Sequence, residues 1–303
     1  MPSSEAPDAG TVLRRYEEIR PRLPAAHFAE RPREIADLSA IIDEFDVFVL
    51  DGYGVLNTGA EAIPGAVERV AALRAAGRRL FVLTNAASYP AAATAARYRR
   101  LGFDFAPEEI VSSRDALARA LTGRSEHLWG LAARHDVAND DLDVEGVILA
   151  DDPAPYEAAE GFLLLSTAEW NAARQKRLLA ALAARPRPVL VGNPDLVSPR
   201  EGWLALEPGW YAHEIADRSG IEPEFFGKPY ANAFAAVAER LGENVPPERI
   251  AMVGDSPHTD ILGGAAMGWR TVLVTGHGLL KGWSRMEIES ATDIRPDFYA
   301  TTT

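Results

Sequence analysis

Four short apolar runs along the chain each end in polar or small residues. The runs are residues 47–50, 80–83, 250–253 and 271–274, and the residues that follow them are Asp51, Thr84 with Asn85, Gly254 with Asp255, and Thr275. Runs of this length that stop abruptly are typical of buried strands in a parallel sheet. Open α/β sheets form their sites where such strands end, so we expect these polar residues to meet at one edge. Asp51 is therefore a candidate nucleophile.

The stretches between the runs have helical spacing. Pro64-Gly65-Ala66 opens a segment whose apolar positions form one face, and Gly77 ends it. Helices commonly start with proline and stop at glycine, and a helix between two parallel strands predicts a right-handed βαβ unit. Residues 90–101 predict a second helix, residues 110–113 a short strand, and residues 35–42 a short leading helix.

The spacing of the polar strand ends locates an insertion. Only 33 residues separate Asp51 from Thr84, whereas 144 separate Thr84 from Lys228. The second interval has strand-like and helical patterns of its own, at residues 147–150, 162–165, 169–184 and 189–191. The sequence therefore predicts an α/β protein with a doubly wound, Rossmann-like parallel-sheet core. Its predicted parts are an N-terminal extension over 1–35 whose first 12 residues are frayed, a core over 36–120 and 222–303, and an inserted α/β domain over 121–221.

The composition is that of an ordinary soluble enzyme. Of the 303 residues, 47% are hydrophobic, and the mean hydropathy is −0.11. The formal charge of −13 and the pI near 5.0 argue against nucleic acid or an anionic membrane as a partner, because phosphate groups would be repelled. The chain has no cysteine, which fits a reducing compartment. Since it has neither a membrane-length apolar stretch nor a signal-peptide pattern, we expect a cytoplasmic protein.

Four ordered motifs resemble those of the haloacid dehalogenase superfamily of hydrolases. They are Asp51-Gly52-Tyr53-Gly54-Val55-Leu56, Thr84-Asn85, Phe226-Gly227-Lys228-Pro229, and Gly254-Asp255-Ser256-Pro257-His258-Thr259-Asp260. The resemblance covers about residues 45–280. The place of the insertion, residues 59–66 and Asn193-Pro194-Asp195 are similar to the class IIA branch, which includes nitrophenyl-phosphatase-like and sugar phosphatases. In that branch the insert is a cap domain over the core.

The resemblance implies a role for each motif. Asp51 would attack a phosphoryl group to give an aspartyl phosphate. A magnesium ion (Mg2+) would be the cofactor, since carboxylate and carbonyl oxygens suit it. Its protein ligands would be Asp51, the backbone carbonyl of Tyr53, Asp255 and, in a supporting or water-mediated role, Asp260. The groups that bind the phosphoryl oxygens would be Thr84, Asn85 and Lys228, and Lys228 would also neutralise the nucleophile.

Several other polar residues have two interpretations. Asn193 and Asp195 either recognise substrate from the cap or simply cap a turn, and both interpretations stay open. His258, between the two acids of the last motif, either serves as a substitute acid or base or is a solvent-facing loop histidine, and we expect the second. Arg97, with its neighbours Arg99 and Arg100, is expected to form a solvated helix face.

Tyr53 departs from the pattern of the resembling phosphatases. They usually carry a second aspartate at this position, which protonates the leaving oxygen and then activates water. A phenol with a reference pKa near 10 is a poor base at neutral pH, whereas general acid-base assistance is worth roughly 100- to 10,000-fold. Ordinary phosphomonoesterase activity is therefore in question. The backbone carbonyl of residue 53, a proposed ligand of the magnesium ion, is present whatever the side chain.

Three functions remain. The first is a magnesium-dependent hydrolase of a small phosphate ester, sugar-phosphate-like or another small phosphometabolite, acting through an aspartyl phosphate at Asp51. The second is a catalytically weak or non-enzymatic binding protein with this fold. The third is a haloacid-dehalogenase-type hydrolase, whose motif also carries tyrosine but whose cap lies between the first two motifs. The expected partner is a small phosphorylated substrate, and a homodimer stays open because relatives of this branch often pair through their caps.

Overall fold

The structure is a computed structural model that describes residues 6–200, 202–242 and 245–303. The α-helices are α1 Ala9–Glu18, α2 Ala66–Ala75, α3 Ala91–Arg100, α4 Ser113–Leu121, α5 Ala154–Ala158, α6 Ala172–Ala184, α7 Pro208–Ser219, α8 Ala231–Leu241, α9 Leu262–Ala266 and α10 Arg285–Ala291. The strands are β1 Arg33–Ile35, β2 Val47–Leu50, β3 Asn57–Thr58, β4 Glu61–Ala62, β5 Arg79–Thr84, β6 Ile110–Ser112, β7 Trp129–Ala132, β8 Gly146–Ile148, β9 Gly161–Leu164, β10 Val189–Val191, β11 Val197–Arg200, β12 Trp203–Leu206, β13 Glu224–Phe225, β14 Ile250–Gly254, β15 Arg270–Val274 and β16 Phe298–Ala300.

A seven-stranded parallel sheet forms the centre of the fold. Its strand order is β1-β16-β15-β14-β2-β5-β6, and every neighbouring pair is parallel. The chain runs outward from β2 to one edge and from β14 to the other, so the order reverses between these two strands. Ligands of open α/β sheets bind at such a reversal. The predicted α/β fold with a doubly wound parallel core is confirmed, and its four apolar runs are β2, β5, β14 and β15.

Helices cover both faces of this sheet, which explains why its central strand β2 is apolar throughout. Val47 and Val49 of β2 share a core cluster with Phe234 of α8. The alternate residues Phe48 and Leu50 belong to a second cluster, on the side of α2 and α3. Successive side chains of a strand point to opposite faces, so a strand buried on both sides has no polar alternation.

A second parallel sheet is built from the long interval between the motifs. It has five strands in the order β13-β10-β9-β7-β8, all parallel. An antiparallel hairpin of β11 and β12 follows β10. The predicted domain bounds stay a prediction; β13 joins this second sheet although it lies inside the range 222–303 assigned to the core.

The N-terminal segment is more ordered than its polar sequence suggests. Residues 1–5 lie outside the described ranges, but α1 begins at Ala9, so the expectation of a frayed segment up to residue 12 is wrong for 9–12. The Asp8 side chain caps the helix by accepting a hydrogen bond from the Thr11 N–H at 2.7 Å. Val12 and Leu13 are buried in a cluster with residues of both the β10–β11 connection and α10. The apolar face of α1 thus ties the extension to both parts of the chain.

Two predicted helix bounds need correction. The leading helix predicted over 35–42 is a short 3₁₀ turn, Leu38–Ile41, preceded by β1. The helix predicted from residue 169 begins at Ala172, because the Asn171 side chain caps it by accepting from the Ala173 and Arg174 N–H groups. Within the described ranges, no helix is both long and apolar enough to cross a membrane.

Candidate active site

The motif residues converge at the carboxyl edge of the large sheet, beside the reversal of strand order. Asp51 follows β2 and Asp255 follows β14, and these two strands are direct neighbours. Lys228 arrives from the loop between β13 and α8. Carboxylate oxygens of Asp51, Asp255 and Asp260 all lie within 4.8 Å of one another. The topology therefore brings three acids from two separate segments, together with Lys228 from a third, to one point.

Lys228 lies buried between two of these acids. Its Nζ is 2.5 Å from Asp51 Oδ1 and 2.7 Å from Asp260 Oδ1. The Gly52 N–H also donates to Asp51 Oδ1, at 2.6 Å. Both contacts of Asp51 use its Oδ1, so its other carboxylate oxygen, Oδ2, is the candidate for attack or for metal binding.

Hydrogen bonds from the surrounding loops also hold Asp255 and Asp260. Asp255 Oδ1 accepts from the Ser256 hydroxyl at 2.9 Å, and its Oδ2 accepts from the Leu279 N–H at 2.8 Å. Asp260 lies in a π-helical turn, Pro257–Ile261, where its Oδ2 accepts from the Ser256 N–H at 3.1 Å. Each carboxylate is therefore fixed in orientation.

Two glycines make this close packing possible. A Cβ added to Gly54, whose φ is +79°, would lie 2.4 Å from Asp255 Oδ2. A Cβ added to Gly254 would lie 2.0 Å from Asp260 Cγ. The glycines of the motifs are thus required because the backbone passes directly against the acids.

In this cluster three carboxyl groups, of Asp51, Asp255 and Asp260, face one ammonium group, that of Lys228. Burial raises the pKa of Asp51 to about 8, and Lys228 only partly opposes this. Burial, together with the neighbouring Asp260, raises the pKa of Asp255 to about 7. Burial acts to lower the pKa of Lys228, but the carboxylates of Asp260 and Asp51 outweigh it and raise this pKa. A further cation would favour the ionised forms of Asp51 and Asp255 at neutral pH.

The side chain of Asn85 holds the loop that carries Lys228 through hydrogen bonds to its backbone, an arrangement called here the Asn85 clamp. Its Nδ2 donates to Asp195 Oδ1 at 2.8 Å and to the Lys228 carbonyl at 2.9 Å, and its Oδ1 accepts from the Lys228 N–H at 2.7 Å. Both amide hydrogens of the side chain are thus used within the protein, and binding of a phosphoryl group by Asn85 stays a prediction. Thr84 differs, because its buried Oγ1 accepts from the Ala86 N–H at 3.2 Å and its own O–H can donate into the site.

The Asn193-Pro194-Asp195 segment both forms a turn and lines the site. Asn193 Oδ1 accepts from the Asp195 N–H at 3.0 Å, as in a capped turn. Its Nδ2 donates to Glu207 Oε2 at 3.1 Å, and Ser198 donates to the other oxygen of Glu207. Burial raises the pKa of Asp195 to about 8 and raises that of Glu207. No motif indicated Glu207 or Ser198, and whether the segment recognises substrate stays a prediction.

A cavity of about 630 Å³ opens between the two sheets over these acids. Its lining includes Asp51, Tyr53, Thr84 and Asp255 from around the large sheet and Tyr211 and Asp195 from the inserted part. This volume is in the range that holds a small metabolite.

Tyr53 and Arg97 form a pair on the cavity wall. The guanidinium carbon of Arg97 lies 4.7 Å from the centre of the Tyr53 ring, and Nη2 donates to the Gly59 carbonyl at 2.8 Å. Both side chains line the cavity. The predicted solvated helix face is therefore wrong for Arg97, while Arg99 and Arg100 are exposed as expected. The helix turns Arg97 toward the loop after β2, which composition alone does not indicate.

His258 is buried, not solvent-facing as expected. Its Nε2 lies 2.7 Å from Glu17 Oε1, and its ring stacks on Tyr16 with the two ring centres 4.7 Å apart. Burial lowers the pKa of His258, although Glu17 opposes this. The partners come from α1, more than 200 residues earlier in the chain, and no local pattern indicates them.

Two family models match the chain. One, described as haloacid dehalogenase-like hydrolase, matches residues 48–137, and the other, described as HAD-hydrolase-like, matches residues 225–302. They include the segments that carry Asp51 and Thr84 and those that carry Lys228, Asp255 and Asp260.

Curated proteins and solved structures agree with these matches. Glycerol-3-phosphate phosphatase of Gallus gallus is 31% identical over 284 residues, covering 86% of this chain and 90% of the relative. The Homo sapiens protein of the same name is 29% identical over 290 residues, covering 86% and 89%. A solved structure from Cytophaga hutchinsonii, titled a possible sugar phosphatase of the HAD superfamily, gives a TM-score of 0.78 at 25% identity and covers 89% of this chain and 98% of that one.

Proposed function

Because the chain belongs to the haloacid dehalogenase-like hydrolases, we propose that it is a magnesium-dependent hydrolase of a small phosphate ester, acting through an aspartyl phosphate at Asp51. One observation carries this proposal: oxygens of Asp51, Asp255 and Asp260 lie within 4.8 Å of one another, with the Lys228 ammonium against the candidate nucleophile. Aspartyl phosphate chemistry needs a nucleophile and concentrated positive charge at the same point.

The donor set fits magnesium. Three carboxylates are hard oxygen ligands, and the backbone carbonyl of Tyr53 is a further candidate. The raised pKa values of Asp51 and Asp255 show that these acids are destabilised as anions when only Lys228 balances them. When bound, the ion would neutralise charge on the phosphoryl oxygens.

The chain's own groups supply the remaining functions. Asp51 attacks phosphorus, while Lys228 and the Thr84 hydroxyl bind phosphoryl oxygens. The Asn85 clamp keeps Lys228 in place, which makes Asn85 a positioning residue in this proposal. Asn193 and Asp195, which also line the cavity, would help to select the substrate from the cap.

The substrate class rests on the relatives and on the cavity. Two relatives are named for glycerol-3-phosphate and a solved neighbour for sugar phosphates. The cavity of about 630 Å³ suits a metabolite of that size. We therefore propose a sugar-phosphate-like or other small phosphometabolite as substrate, acted on in the cytoplasm. A homodimer stays a prediction.

Tyr53 favours one competing function, a catalytically weak or non-enzymatic binding protein. Release of inorganic phosphate from a panel of small phosphomonoesters, with Mg2+ and with EDTA, separates the two. We expect release with Mg2+ that EDTA abolishes. Tight binding of phosphorylated ligands without release of phosphate from any donor would instead indicate the binding protein, and halide release that ignores EDTA would indicate a dehalogenase.

Metal binding should depend on pH in a defined direction. In the metal-free protein the pKa values of Asp51 and Asp255 are raised from 3.8 to about 8 and about 7. At these two groups the folded state holds more protons than the unfolded state, so their contribution to stability is greatest below about pH 4 and falls as the pH rises toward 8. Ionised carboxylates bind the cation, so Mg2+ should stabilise the protein more at pH 8 than at pH 6.

The measurement is the melting temperature with and without Mg2+ at the two pH values. A ligand at 100 times its Kd adds about 2.7 kcal/mol, which corresponds to a rise of roughly 5 °C. Asp255→Asn should remove most of the rise at pH 8. An equal or larger rise at pH 6 would contradict the assignment of these carboxylates as ligands.

A further inference from the structure

The leaving-group side of the candidate site is defined by Tyr53. This residue lies two positions after the nucleophile, on the loop that leaves β2, and its side chain lines the cavity together with Asp51. Arg97 covers the ring, 4.7 Å from its centre, and is tied to the Gly59 carbonyl. The Arg97 guanidinium is therefore held in place beside Tyr53, in the lining of the cavity that also contains Asp51.

The carboxyl groups of the cavity other than Asp51 and Asp255 are hydrogen-bonded within the protein, and none of them lies on the loop that carries Tyr53. Among the described residues that line it there is no histidine. Beyond Asp51 and Asp255, its carboxyl groups are Asp195 and Glu207. Asp195 accepts a hydrogen bond from the Asn85 clamp, and Glu207 is bonded to Asn193 and Ser198.

This arrangement constrains the leaving oxygen. The alkoxide of a sugar or glycerol phosphate is a strong base and must gain a proton as its bond to phosphorus breaks. A carboxylate, phenolate or enolate can leave without one. A fixed guanidinium stabilises such a leaving anion by charge and by hydrogen bonding, without any proton transfer.

We propose that the protein acts on phosphoryl donors with acidic leaving groups, namely acyl, enol or aryl phosphates, and that Arg97 stabilises the departing oxyanion. The inference rests on the proposed phosphatase function and narrows its substrate class to the second alternative, a small phosphometabolite that is not an alkyl sugar phosphate. The proposed substrate class differs from the substrate in the names of two relatives, glycerol-3-phosphate.

The proposed reaction has two balanced steps. In the first, Asp51 forms a bond to phosphorus, the bond from phosphorus to the leaving oxygen breaks, and its electron pair departs with that oxygen as an anion beside Arg97. In the second, water attacks phosphorus and the aspartyl bond to phosphorus breaks. The products are the Asp51 carboxylate, inorganic phosphate and a proton released to solvent. Neither step requires an oxidant or a second substrate.

The first test compares donors in the wild-type protein. Acetyl phosphate, 4-nitrophenyl phosphate, phenyl phosphate and glycerol 3-phosphate are assayed with Mg2+ at pH 7.5. We expect kcat/KM to fall steeply along this series, with at least about 100-fold between 4-nitrophenyl phosphate and glycerol 3-phosphate, the scale of lost acid assistance. Equal rates for these two would overturn the inference and leave the proposed function standing. No turnover of any donor would overturn both.

The second test assigns the effect to Arg97. Arg97→Met should lower kcat/KM for phenyl phosphate by roughly 100-fold and for acetyl phosphate by less, since the better leaving group needs less stabilisation. Arg97→Lys should recover part of the loss. Inhibition by vanadate, which reports the phosphoryl site alone, should change little in both variants. Arg99→Met, an exposed arginine on the same helix, is the matched control.

Tyr53→Phe tests the alternative that the Tyr53 hydroxyl donates a proton to the leaving oxygen. It keeps a ring under Arg97 but removes the phenolic O–H. If the hydroxyl were a proton donor, this change would slow glycerol 3-phosphate far more than 4-nitrophenyl phosphate. We expect the ratio of the two rates to stay the same, and a shift of that ratio by more than about 10-fold would overturn the assignment to Arg97.

Discussion

Asp51→Asn is expected to lower phosphate release by about 10⁴-fold or more, since loss of the covalent nucleophile removes the whole two-step route. The change is isosteric, and it replaces an acid whose pKa burial has raised to about 8 by a neutral group. It removes an unfavourable buried charge together with one partner of Lys228. The folded state should therefore survive, and the loss should be chemical, not structural.

The measurement pairs turnover with thermal unfolding. Steady-state phosphate release is recorded with 4-nitrophenyl phosphate and Mg2+, and each variant is melted under the same conditions. Asp104→Asn, an exposed aspartate outside the site, is the matched control and should keep wild-type activity. Retention of more than about one tenth of the activity by Asp51→Asn, with an unchanged melting curve, would mean that Asp51 is not the nucleophile.

The core and its acids could be predicted because each signal is local. A buried parallel strand is apolar along its whole length, so β2, β5, β14 and β15 stand out in the sequence as short runs with sharp ends. The polar residue at each end is then placed by topology, since neighbouring parallel strands end at the same edge. Asp51 and Asp255 follow two such neighbours. No contact between distant side chains had to be foreseen.

The residues that could not be predicted depend on such distant contacts. His258 is buried only because α1 brings Tyr16 and Glu17 across it. Arg97 lies in the cavity because the loop after β2 presents the Tyr53 ring to it. A composition-based interpretation assigns arginines and loop histidines to solvent, which is right on average and fails where tertiary packing supplies a partner.

Asn85 shows a subtler limit. Its position at the end of β5 was predictable, but its role was not. An amide beside a phosphate site has the chemistry to donate to the ligand, and only the geometry shows that both of its hydrogens are used by Asp195 and Lys228. Asn85 therefore acts in the site by holding Lys228 in position.

Tyr53→Asp is the second change with a large expected effect. It places a carboxyl group where the related phosphatases carry their acid-base aspartate, and so supplies both a proton for a leaving alkoxide and a base for the attacking water. We expect kcat/KM for glycerol 3-phosphate to rise by about 100-fold, near the lower end of the range for general acid-base catalysis. The gain is limited because Arg97 would pair with the introduced carboxylate and hold it ionised, which weakens it as an acid.

Tyr53→Asn is the matched control, since it has the size of aspartate and no titratable group. It should show no gain, and acetyl phosphate should gain less than glycerol 3-phosphate in the aspartate variant because a carboxylate leaves without a proton. In the double variant Tyr53→Asp, Arg97→Met, glycerol 3-phosphate turnover should rise further, because the introduced acid loses the cation that keeps it ionised. Acetyl phosphate turnover should fall, because its leaving carboxylate loses the guanidinium of Arg97. Opposite responses of the two substrates to one substitution would show that charge and proton donation are alternative ways to release the leaving oxygen here. If both substrates fell together in the double variant, Arg97 would be holding the loop after β2 in place and would not act on the leaving group.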